Sequence, residues 1–118
     1  MGEMSKEKLI QIIKSFDHDQ VKYIAVQVKV NKKVWFYDVE FDVHTRNGFY
    51  LLCRDGKPLR EYKVRSLCVF LETFTRDHPV YVKCVDVHPF EVYKLSDRYE
   101  VEGDELVLFS VGINSEER

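Results

Sequence analysis

Two carboxylate patterns and one basic stretch hold the residue types in this chain that could do chemistry. Asp38, Glu40 and Asp42 alternate with apolar residues, so on a strand they share one face at about 7 Å spacing. Neighbours at that spacing could hold one Mg²⁺ or act as an acid and base pair, because hard cations take carboxylate oxygens. The plainer reading is the solvated face of a sheet whose other face is apolar. Downstream, Glu61-Tyr62-Lys63 sets a further carboxylate two residues before an ammonium. These residues lie in the most basic part of the chain, where Arg54, Lys57, Arg60, Lys63 and Arg65 stand against Asp55 and Glu61. Tyr62 offers a ring on which a base could stack. Arg54, Lys57, Arg60, Tyr62, Lys63 and Arg65 are therefore the candidate nucleic-acid contacts. Their spacing divides them between the two faces of a strand, whereas a phosphate-tracking stripe keeps one parity. A charged edge strand that resists sheet-to-sheet association is the competing reading.

Other chemistries find less support. Cys84, Asp86 and His88 share one strand parity, but the outer two would stand about 13 Å apart, too far for one tetrahedral zinc. No histidine pairs visibly with a nucleophile for triad catalysis. The five glycines are scattered and none opens a helix, so no phosphate loop is expected. Cys53, Cys68 and Cys84 form no C-x-x-C pair and lie in apolar segments, the pattern of reduced structural thiols in a cytoplasmic protein.

The elements that must position these residues follow from periodicity. The chain has 118 residues, 45% hydrophobic and 14% aromatic, which fits one domain with its own core and excludes a disordered tail. The expected domain is 1–113, with 114–118 a flexible tail. Apolar runs such as Leu67–Leu71 are far shorter than the roughly 20 residues of a membrane helix, and the first residues lack the apolar run of a secretory signal. The net charge of −2 conceals a split: residues 1–65 carry 13 Lys/Arg against 9 Asp/Glu, and residues 66–118 carry 5 against 11. A basic face for an anionic partner is one reading, and mutual neutralisation of the halves is the other.

Leu9, Ile12, Ile13 and Phe16 make one apolar stripe, with Ser5 as N-cap, and predict a helix over 5–16. Residues 22–43 predict a hairpin, with Ile24, Val26 and Val28 on the same side as Trp35, Tyr37, Val39, Phe41 and Val43. Asn47-Gly48 and Asp55-Gly56 are hairpin signals that add strands at 49–54 and 58–64. Leu67, Phe70, Leu71 and Phe74 predict a second helix over 66–75, and strands follow at 80–87, 90–95, 99–101 and 106–111. The expected fold is therefore α+β, a mainly antiparallel sheet made of a four-stranded meander plus C-terminal strands, with two helices on one face. No internal repeat is visible. Tyr23, Phe36, Phe49 and Tyr62 fall on the side away from the main apolar set and mark a partner surface or a homodimer interface.

A helix, strands carrying an Asp and then Glu61-Tyr62-Lys63, a helix and the strand Val80–Val87 together resemble the core of the PD-(D/E)XK nucleases. The resemblance covers about residues 5–87. It implies Mg²⁺-dependent phosphodiester hydrolysis, with Asp42 (or Asp38) and Glu61 holding the metal and Lys63 positioning the attacking water. The reading taken here is a small intracellular, non-enzymatic binding domain, without a cofactor, that acts through a protein or nucleic-acid contact and not at a membrane. The nuclease is its alternative. On the binding reading Glu61→Ala leaves the fold and all activity unchanged, and loss of a measurable cleavage activity in that variant would overturn it.

Overall fold

A computed structural model describes residues 2–17, 19–30, 33–53, 62–84 and 91–111. Helix α1 (Lys6–Lys14) starts where Ser5 Oγ accepts the Lys8 amide at 3.3 Å, with Glu7 in its first turn and Lys14 in its last, both matched to the helix dipole. Its expected stripe is real: Leu9 and Ile13 are fully buried, and Ile12 and Phe16 pack at the edge of the core. Helix α2 (Val64–Glu72) begins two residues before the expected Ser66. Lys63, in extended conformation, takes the cap position without any side-chain hydrogen bond. Val64 therefore opens a helix instead of ending a strand, while 54–61 and the Asp55-Gly56 turn lie outside the described residues.

Among the described residues there are six strands: β1 (Tyr23–Val30), β2 (Lys33–Thr45), β3 (Gly48–Cys53), β4 (Val80–Cys84), β5 (Glu91–Glu102) and β6 (Glu105–Ser110). They close in the order β1-β2-β3-β4-β5-β6 as a barrel. The sheet is mixed, which corrects the four-stranded antiparallel meander. β1, β2 and β3 do meander, but the next neighbour of β3 is β4, which runs parallel to it. The reason is the connection: a strand that returns through a helix re-enters at the same end, so it pairs parallel. β6 closes the barrel parallel to β1. The strands expected at 90–95 and 99–101 are one strand, β5, with an irregularity between Leu95 and Tyr99. The chain break expected at His88-Pro89 lies outside the described residues.

The β1–β2 register is the expected one. Val30 pairs with Lys33, and Val28 and Val26 stand opposite Trp35 and Tyr37. Beyond Val39 the pattern changes, because Val39 pairs with Cys53 while Phe41 pairs with Leu52. Glu40 is thus an extra residue, and a bulge of this kind reverses which side chains face the core. Asp42 now stands opposite Leu51 and His44 opposite Phe49, both core residues, and Val43 is only half-buried. The three carboxylates therefore do not form one ladder: Asp42 has left it, and the side chains of Asp38 and Glu40 lie outside the described ones. Phe49, expected on the partner side, is in the core at 1% exposure.

The main core lies between the strands and the two helices. Ile24, Val26, Val28, Leu51, Val82, Leu95, Leu106 and Leu108 meet Leu9 and Ile13 of α1 and Leu67 and Leu71 of α2 in one cluster. Topology also shows a repeat that the sequence conceals, since the order helix–strand–strand–strand occurs twice. Each helix has nine residues, each middle strand is long and irregular, and each half supplies one strand to each parallel pair. The helix starts are held alike: the Lys6 amide donates to His78 O at 2.9 Å and the Val64 amide to Lys22 O at 2.8 Å. Among the described residues no helix is long and apolar enough to cross a membrane. Leu71, fully buried at the centre of this packing, should cost roughly 2–4 kcal/mol when changed to Ala. Chemical denaturation measures this, and an unchanged midpoint would mean that α2 does not pack here.

Candidate functional site

The start of α2 lies against the start of β1, where Tyr23 and Lys63 form an isolated bridge beside the Val64–Lys22 hydrogen bond. Between them opens a groove of about 270 Å³ lined by Asp19, Lys22, Tyr23, Lys63 and Arg65. Lys22, Lys63 and Arg65 are exposed, so their charged ends reach water without desolvation cost. Asp19 is the acidic lining residue, and its Oδ1 meets Arg65 Nη2 at 3.4 Å. Both side chains are largely exposed, so the pair is weak and an anion can exchange with the carboxylate. No acidic residue occupies the first turn of α2.

The equivalent junction in the other half is built differently. There Ser5 caps α1, and Asp77 Oδ1 accepts the Glu7 amide at 3.0 Å. An acidic residue in the first turn and two side-chain acceptors satisfy the amides and dipole of α1. At α2 the corresponding positions carry Lys63 and Arg65, so the groove collects positive charge where its counterpart neutralises it.

Among the residues singled out in sequence, Lys63 and Arg65 are brought together here. Tyr62 is not: its hydroxyl turns away and donates to Asp42 Oδ2, and the ring packs against the core. Burial, and then the hydrogen bond and charge of Asp42, hold the Tyr62 phenol far above its ordinary range, so it stays protonated and remains the donor. Asp42 reaches this partner because the β2 bulge turned it inward. Of the alternative nuclease residues, Asp42 thus faces Tyr62 while Lys63 lines the groove, and Glu61 lies outside the described residues together with Arg54, Lys57 and Arg60. Asp86 and His88 of the zinc pattern also lie outside them. Among the described residues no group of three or more His, Cys, Asp or Glu is placed to hold a metal.

Sequence reasoning missed Lys22 and marked Tyr23 as a partner-surface aromatic without joining it to Lys63, because these partners are some forty positions apart and only the closed fold joins them. It also missed His44 and His78, whose Nε2 and Nδ1 lie 3.4 Å apart beside Phe49 and Phe74. This pair clasps the end of β2 to the α2–β4 connection. Cys68 is a structural thiol: burial and the carboxylate of Glu72, which accepts its Sγ–H at 3.1 Å, push its pKa up to about 11. At neutral pH it is not a nucleophile.

Fold and groove together define a small α+β barrel domain with a cationic cleft. The chain matches no known family model, no curated protein and no solved structure. Tyr62→Phe should lower stability by roughly 1–3 kcal/mol by leaving the half-buried Asp42 carboxylate without this donor. Urea denaturation against the parent checks this, and equal midpoints would show that the Tyr62–Asp42 bond does not hold the start of α2 to the barrel.

Proposed function

We propose that this chain is a non-enzymatic binding domain whose groove takes phosphate groups of a nucleic acid. One observation carries the reading: Lys22 from the start of β1 and Lys63 and Arg65 from the start of α2 converge on one open cleft beside Tyr23. Cations from separate elements fixed around one cleft form a contact that a scatter of surface charge does not. Phosphate oxygens are the natural occupants, since guanidinium and ammonium groups give them strong charge-assisted hydrogen bonds. Tyr23 adds a half-buried ring at the wall, suited to a sugar or base beside the phosphate. Lys63 and Arg65, the last two cations of the basic stretch 54–65, both line the groove.

The nuclease alternative gains nothing comparable, because Asp42 is engaged by Tyr62 and Lys63 points to the groove. Binding by three cations predicts a definite salt response. With single strands the groove's three cations alone should make the affinity fall at least roughly 20-fold between about 50 and 200 mM salt. Fluorescence anisotropy of labelled oligothymidine, read in EDTA, measures it. Lys22→Glu with Lys63→Glu should weaken binding by about tenfold or more at the lower salt. Unchanged binding in that double variant would contradict the proposal, and so would preference for an acidic peptide over every oligonucleotide.

A further inference from the structure

The bulge and the closed barrel leave one outer face with an unusual set of side chains. Across β2, β3, β4 and β5 the register aligns Val43, Tyr50, Tyr81 and Lys94 in one row. The next row aligns Phe41, Leu52, Lys83 and Val92. Residues aligned in this way share a face, and the alternate positions Phe49, Leu51, Val80 and Val82 fill the core with the two helices. Val43, Tyr50, Leu52, Tyr81 and Lys83 are half-buried and Val92 and Lys94 exposed, so at these residues the rows face away from that core. Tyr50 and Tyr81 are half-buried, with stacked rings whose centroids are 5.3 Å apart at an interplanar angle of 30°.

Tyr81 is held in place. A Cβ built on Gly48, whose φ is +150°, would come within 2.9 Å of the Tyr81 ring. The ring thus occupies the space above a glycine, an arrangement that fixes an aromatic on a sheet surface. A pre-ordered ring costs little entropy when a second flat group settles on it.

The internal repeat supplies a comparison within the molecule. The corresponding row in the other half reads Glu100, Val107, Ala25 and Asp38. There Val107 and Ala25 are fully buried and acidic residues end the row. In that half the row is covered, with Val107 and Ala25 packed with Phe109 and Val34 in a small second cluster, whereas Tyr50 and Tyr81 stay half-buried at the corresponding positions. On the Tyr50–Tyr81 face the two rows contain two lysines and no carboxylate. Lys94 does meet Glu3 of the N-terminal segment at 3.4 Å, but both are exposed and the pair is weak enough to exchange with a phosphate.

We infer that this face is a base-stacking platform for single-stranded RNA or DNA, with bases on Tyr50 and Tyr81 and phosphates at Lys94. The inference rests on the nucleic-acid reading of the groove and specifies its substrate class as single-stranded. A duplex hides its base faces and cannot use the platform. Stacking on aromatic side chains tolerates any sequence, so the domain should show little preference among bases of similar stacking strength.

The test uses the full chain, labelled oligothymidine and the corresponding duplex, with anisotropy as the readout and thermal melting as a control for folding. Tyr50→Leu and Tyr81→Leu keep apolar bulk and remove the flat ring. Each should weaken single-strand binding by about fivefold or more while leaving the salt slope unchanged, because no phosphate contact is lost. Lys94→Ala should instead reduce the slope by about 0.7. Folded tyrosine variants that bind like the parent, while Lys22→Glu with Lys63→Glu loses binding, would overturn the platform and leave the groove standing. No binding of the parent to any oligonucleotide would overturn both. A change in sedimentation coefficient on replacing the tyrosines would assign the face to a second copy of this chain and overturn the platform.

Discussion

The interior of this domain depends on a single extra residue in its longest strand. At Val39, β2 shows its apolar parity to the core, and the β1–β2 pairing before it follows from simple alternation. Glu40 then enters without a partner across the ladder, and from Asp42 onward the opposite parity faces inward. The consequence is chemical as well as geometric. A carboxylate and an imidazole are turned toward the core and need partners, since an unpaired buried polar group costs of order 1–3 kcal/mol. Tyr62 answers Asp42, and His78 answers His44. Each partner belongs to a connection rather than to a strand, so the bulge fixes the two ends of α2 onto the barrel.

This anchoring explains why the groove has a defined shape. α2 is held by Leu67 and Leu71 in the core, by Tyr62 just before its start and by the Val64–Lys22 hydrogen bond at its first residue. Lys63 sits between two of these fixed points, and its backbone bridges to Tyr23. Its side chain is exposed, yet its origin is set, as is that of Lys22. Cations on fixed stems lose less freedom on meeting a phosphate than cations on a loose loop, and affinity gains from that difference. The weak Asp19–Arg65 pair does not compete strongly for an anion.

What could be read in the sequence was local. α1 was legible because its stripe and its Ser5 cap lie within one dozen residues, and β1–β2 because a two-residue connection ties register to alternation. The bulge was not, since Val39-Glu40-Phe41-Asp42-Val43 alternates without interruption. Reading straight through it placed Asp42 with Asp38 and Glu40, and Phe49 on the wrong face. The strand read into 58–64 came from a turn signal and a proline, while the identity of β3's true neighbour depended on a crossover that no local pattern encodes. Half of the cationic site was visible as Lys63 and Arg65. Tyr23 was visible only as an aromatic off the main apolar face and Lys22 carried no signal of its own, and both joined the site only through closure of the barrel.

The most direct measurement is amide chemical-shift mapping of the isotope-labelled chain during titration with oligothymidine at low salt. The account predicts fast, saturable shifts centred on Lys22, Tyr23, Lys63 and Arg65, with little change at the buried positions Leu9, Ile13 and Leu106. Saturable shifts that leave those four amides unmoved, or a spectrum indifferent to the oligonucleotide, would contradict it.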